Sequence, residues 1–284
     1  MINLLRDPLP KSLIWIGMPI IAIVLIILLF FIRFPYDEFR VPLQNQLSQI
    51  SNAEVRIGTI EPAFTWAGPA LAAVDVNFIQ PNQPRMTLER IQLRPAWSSG
   101  WFNLAPTLDV GITSPLGSAQ GMLSLGSAPR WTGTINLPDL SALPLPETIP
   151  VGLTGSLIAE ADLQLRAGQA AGPVEFEALA GSFSHPEIPI PVEFKRLIGE
   201  LALGGQNLLE VKELLLDGPV IAADIGGVIQ NPTQGMAPAI DLDVIIEVKS
   251  PPLRAMLMGM GVQLDRAGRT SIELGGTLTR PITR

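Results

Sequence analysis

The chain of 284 residues contains one histidine, His185, and no cysteine. A histidine is the usual general base at neutral pH. His185 stands fifth in Gly181-Ser182-Phe183-Ser184-His185-Pro186. That hexapeptide returns as Gly227-Val228-Ile229-Gln230-Asn231-Pro232 and as Gly276-Thr277-Leu278-Thr279-Arg280-Pro281, at intervals of 46 and 49 residues. Asn231 and Arg280 occupy the histidine's place in the later copies. A group that exchanges with an amide and a guanidinium reads as a solvated turn residue. Asp241 and Asp243 lie two apart on a strand-like run, so both carboxylates point to one side; such a pair could hold a hard cation or work as acid and base. They are also the polar phase of an alternating strand, which explains them without chemistry. Lys195, Lys212 and Lys249 could in principle activate a serine, but no serine–lysine motif is recognisable. Gly204-Gly205 and Gly226-Gly227 lack the strand–loop–helix setting and terminal Lys-Ser/Thr of a phosphate loop. The absence of cysteine removes disulfides, thiolate metal sites and cysteine nucleophiles. No catalytic residue, cofactor site or metal ligand is assigned, and the chain reads as non-enzymatic.

The elements that carry these residues are strands. The recurring Gly-x-apolar-polar-x-Pro closes strand-like runs, and a repeat of this period points to one supersecondary unit used several times. From Glu54 onward apolar and polar residues alternate with period two. The cleanest case sets Ile240, Leu242, Val244, Ile246 and Val248 against Asp241, Asp243, Glu247 and Lys249, with only Ile245 out of place. One dry face and one wet face is the mark of antiparallel sheet. About thirteen such runs are expected, near 54–60, 70–79, 85–95, 104–113, 117–126, 130–137, 152–166, 172–184, 195–203, 207–217, 219–230, 237–249 and 269–279. A change of phase between Leu88 and Ile91 predicts a bulge near Glu89-Arg90. Two short helices are expected, one turn at 139–143 and a longer one from Pro251 to Met260. The segment 144–150 is the best seam, read as a break within one continuous sheet.

A sheet of this size must twist and curl. The sequence offers too few helices to cover its dry face. That face must fold on itself as an open sandwich or stay open as a groove for something apolar. The candidate apolar groove is the phase carrying Ile240, Leu242, Val244, Ile246 and Val248.

Ahead of the β domain, residues 13–32 carry no charge. Twenty helical residues would span roughly 30 Å, the hydrocarbon thickness of a bilayer. The expected organisation is a cytoplasmic N-terminus at 1–12, a transmembrane anchor at 13–33, an amphipathic connecting helix at 34–52 and a periplasmic β domain at 53–284. Tyr36, Phe39, Leu43, Leu47 and Ile50 mark the apolar side of the connecting helix, with a break expected at Pro42. The net charge of -7 and pI near 4.8 argue against nucleic acid as a partner.

Phe34-Pro35-Tyr36-Asp37 after an N-terminal span, then Val55-Arg56-Ile57-Gly58-Thr59-Ile60-Glu61, resembles the start of AsmA-like proteins. Gly276 to Pro281 is similar to their strand endings. Among them the chain is most similar to the protein N family of bacterial type II secretion systems. The resemblance implies a mainly β fold behind one transmembrane helix. It further implies a single-pass inner-membrane component of a secretion system, with other secretion subunits as partners. The alternative it implies is a lipid-binding or lipid-transfer protein for outer-membrane maintenance, with phospholipid as partner. A membrane-anchored periplasmic enzyme is the third reading. No catalytic residue carries over from the family.

Overall fold

The structure, a computed structural model, describes residues 18–283 except 20, 24, 27–28, 30, 52, 66–67, 80–84, 97–104, 127, 145–150, 167–168, 185–190, 205–207, 231–237, 260–261 and 278–279. A helix, α1 (Tyr36–Ser51), leads into fourteen strands. These are β1 (Glu54–Thr65), β2 (Gly68–Ile79), β3 (Met86–Pro95), β4 (Thr107–Ser114), β5 (Gly117–Ser124), β6 (Arg130–Leu137) and β7 (Gly152–Arg166). They continue with β8 (Gln169–Ser184), β9 (Val192–Gly204), β10 (Leu208–Asp217), β11 (Ile221–Gln230), β12 (Ala239–Val248), β13 (Arg269–Thr277) and β14 (Arg280–Thr283). A 3-10 turn at Leu140–Ala142 precedes β7, and α2 (Pro251–Gly259) links β12 to β13.

Every strand pairs antiparallel with its neighbours in sequence, so one open sheet runs from β1 to β14 in chain order. Short connections rich in Gly, Pro and Asn favour this meander, because each dry face joins that of the strand just formed. The thirteen expected runs fall on β1 to β13 with small differences at their ends. The missed strand is β14, whose Pro281 argues against a strand interior but suits a short edge. The sheet is continuous across the expected seam, since β6 pairs directly with β7.

The repeat has a different meaning from the one expected. Gly181, Gly227 and Gly276 lie near the ends of β8, β11 and β13. Three strand reversals separate β8 from β11, so these two copies finish at opposite margins of the sheet. The hexapeptide marks strand endings and is not a unit repeated in space.

In place of the bulge expected at Glu89-Arg90, three strands change phase together without a shift of register. Val76 and Leu88 share a buried cluster with Ala73 and Ile91, and Ile57 and Ile60 belong to it too. Three adjacent strands therefore insert an extra residue at one level: Gly58, Asp75 and Glu89. Asp75 takes a positive φ of 56°. Register survives because all three strands change phase together. A second irregularity crosses Gly155 and Ala180, where φ is 108° and 49°, with a register shift between Thr154 and Ser156. Such insertions bend strands and sharpen twist.

α1 protects an edge. β1 has a strand neighbour on one side only. From one stripe of α1, Arg40 donates to the Gly58 carbonyl (2.7 Å) and Gln44 to the Ile57 carbonyl (3.1 Å), while Ser48 Oγ accepts from the Val55 N–H (2.9 Å). These bonds occupy groups that would otherwise template pairing with another chain. Leu47 adds an apolar contact to the cluster beneath. The expected apolar side of the helix is thus only partly right, since Phe39 and Leu43 are exposed. The break at Pro42 is absent: α1 runs through it. The proline removes the bond to the Glu38 carbonyl, and both residues are exposed, so water can serve that oxygen.

The anchor is corrected. Among the described residues no helix is long and apolar enough to cross a membrane. The apolar run at 13–32 meets the requirement of hydropathy, but a span also needs about twenty residues of unbroken helix. Within that run, positions 13–17, 20, 24, 27–28 and 30 lie outside the described residues. The expected fold, a sheet behind a transmembrane helix, therefore reduces to the open antiparallel sheet. The membrane as partner through a single span, the single-pass inner-membrane location and the anchored secretion or outer-membrane functions fall with that helix.

Candidate functional site: the apolar face

Register sorts the five groove candidates onto one side. Ile240, Leu242, Val244, Ile246 and Val248 stand opposite Ile229, Gly227, Ile225, Ala223 and Ile221 of β11. On the same strand Val244 is 5% exposed, whereas Ile245, on the other face, is 47% exposed.

The candidates are one margin of a far longer surface. Direct pairing links Ile60, Ala73, Ile91, Ile112, Ala119, Ile135, Ala159, Phe176, Gly199, Leu214, Ile225, Val244 and Ile272 into one row crossing β1 to β13. No polar side chain interrupts it. At the spacing of neighbouring strands the row is on the order of 58 Å long. The adjacent row, through Leu93, Val110, Gly121, Gly133, Ala161, Val174, Leu201, Val211, Gly227 and Leu242, is equally free of polar side chains.

Aromatic rings lie flat along this face. A Cβ on Gly199 would come 2.2 Å from the Phe176 ring, one on Gly181 2.5 Å from the Phe194 ring, and one on Gly133 2.7 Å from the Trp131 indole. Each ring covers a glycine in place of reaching upward into a second layer. Cover is local: α1 reaches the first strands through Leu47, and Leu140 of the 3-10 turn packs on Ala178 and Phe194. Among the described elements, no second sheet lies over the rest.

The opposite face is ionic. Cross-strand pairs join Arg94 to Asp109, Arg130 to Asp162, Arg196 to Glu177, Lys212 to Glu200, Lys249 to Asp217 and Arg269 to Glu247. Arg90 reaches Glu61 at 3.6 Å across the intervening β2.

The residues weighed for chemistry do not converge. His185 lies outside the described residues. Asp241 and Asp243 are exposed on the ionic face, where Asp243 faces Gly226 and Glu273. Among the described residues no group of three or more His, Asp or Glu is placed to hold a metal. A lysine base must be neutral, but hydrogen bonding and charge from Glu200 raise the pKa of Lys212, which keeps it protonated. Lys249 hydrogen-bonds Asp217 and holds that carboxyl below its ordinary range. Gly226-Gly227 lies inside β11, and Gly227, at φ 137°, allows close approach to the Asp241 carbonyl.

The sequence reading found the β12 margin and missed the glycine–aromatic floor. A signal was present: glycines in the middle of strands, where they weaken a sheet unless something packs over them. No family model, curated protein or solved structure matches this chain.

Proposed function

We propose that this protein works by binding, with the apolar face as a trough for a long apolar ligand of the fatty-acyl type. The observation that carries this reading is the polar-free row from Ile60 to Ile272. An apolar strip of that length, left without a second layer over most of it among the described elements, is unusual on a chain with nothing to bind. Acyl burial stabilises by roughly 0.8 kcal/mol per CH₂ and needs no charged pocket. The flat rings over Gly133, Gly181 and Gly199 keep the floor shallow, which suits an extended chain better than a compact ligand.

The test uses two adjacent positions on opposite faces. A photoreactive residue is placed at Val244 or at Ile245 in the full chain, which is incubated with a fluorescent fatty acid and irradiated. Ile245 is the more exposed by far, so random labelling favours it. Adducts from Val244 and few from Ile245 are the expected result. Equal labelling, dominance of Ile245, or no adduct at either position overturns the proposal.

A further inference from the structure

We infer that the ionic face carries a docking surface for a basic, amphipathic segment of another protein. Register aligns Ile158, Ile198, Leu215 and Ile245 in one row across β7 to β12, with Glu177 and Asp224 between them. These four apolar side chains face solvent, with exposures of 52%, 36%, 38% and 47%. They do not belong to the apolar trough, which lies on the other side of the same strands. A depression of about 430 Å³ follows Ile198, Leu215 and Ile245, bounded by Arg196 and Arg269.

Two residues further along the strands a second row runs beside the first. Glu160 stands opposite Glu175, Glu175 opposite Glu200, and Glu200 opposite Glu213. Four strands in succession thus place a carboxylate at the same level, and like charges directly opposite one another are destabilising. Lys212 bonds Glu200. Among the described residues, Glu160, Glu175 and Glu213 make no ion pair.

Each row alone is a liability; side by side they match one kind of partner. An apolar stripe flanked by lysines or arginines would cover the four exposed side chains and neutralise the carboxylates together. An amphipathic helix has the right spacing. Its 5.4 Å pitch lies close to the strand separation of about 4.8 Å, so a helix lying across the strands sets about one turn over each. The two rows are roughly 6.7 Å apart, within the width of one helix.

The test titrates the full chain into a fluorescent 18-residue helical peptide bearing a leucine stripe flanked by lysines. The same peptide with glutamates for lysines is the control. Leu215→Ser and Glu175→Gln alter one row each. Both residues lie on the solvent side, and loss of repulsion keeps the melting temperature of E175Q at or above that of the unmodified chain. The expected result is salt-sensitive binding of the basic peptide, weakened about tenfold or more by either substitution, with no binding of the acidic peptide. A saturating fatty acid should leave the peptide bound, so failure of the trough would not count against this surface. The inference is overturned if the basic peptide does not bind, if both peptides bind alike, if neither substitution weakens binding, or if the fatty acid displaces the peptide.

Discussion

The ring of Phe176 lies over Gly199, its direct partner on the neighbouring strand. Valine is favoured in strands and glycine disfavoured, so propensity alone predicts that Gly199→Val stabilises. The ring reverses the sign. A Cβ would sit 2.2 Å from a ring carbon, and the ring cannot tilt away without leaving its place on the floor. Gly199→Val should therefore cost about 1–3 kcal/mol, the usual penalty of overpacking. Phe176→Ala in the same chain should return part of that cost, with a coupling of about 0.5–3 kcal/mol between contacting sites. Urea unfolding of the two single variants and the double variant measures it. A G199V chain more stable than its parent would show that the ring is not held over the glycine.

Leu242 and Asp243 are consecutive, yet they face different worlds. Leu242 is half-buried between Gly227 and Leu274, whereas Asp243 is exposed opposite Glu273. Leu242→Asp places a carboxylate in a row with no polar partner, which should cost several kcal/mol or leave the acid protonated. Asp243→Ser removes one of two facing like charges and should be neutral or slightly stabilising. Thermal unfolding of both variants decides the matter, and equal melting temperatures would contradict the division of the faces.

Period two was legible because each strand obeys it locally. Alternation alone placed Ile240 to Val248 on one side and marked Ile245 as the exception, and its exposure on the ionic face explains why. What alternation cannot carry is the relation between strands. Whether Glu160, Glu175, Glu200 and Glu213 align depends on register, which the connections and the irregularities between Thr154 and Ser156 and between Val211 and Leu214 adjust one residue at a time. The rings over Gly133 and Gly199 were hidden for the same reason, since each contact joins residues on different strands or turns on a side-chain orientation. Repetition misled in the opposite sense. The shared hexapeptide around Gly181 and Gly227 reports the chemistry of ending a strand, and the three reversals between β8 and β11 send the two copies to opposite margins.

The ionic face has its own dependence on pH, and Asp162 makes it measurable. Hydrogen bonding from Arg130 holds the Asp162 carboxyl below its usual range, opposed in part by burial and aided to a lesser degree by the arginine's charge. Thr132 donates a further bond to the same carboxylate at 3.3 Å. A carboxyl depressed in the folded state adds stability that is fully present above its unfolded pKa, near 3.9. That stability is lost as pH falls through the lower, folded value. Above about pH 5 the advantage of the parent chain over Asp162→Asn should therefore be constant. Below pH 4 it should shrink as the parent takes up a proton that the variant cannot. Every other carboxylate is common to both chains, so the difference between their urea midpoints isolates this pair. Salt should reduce the difference at neutral pH, because both partners are open to solvent. A gap that stays constant down to pH 2, or widens as the pH falls, would mean that Asp162 is not held ionised by Arg130 in the folded protein.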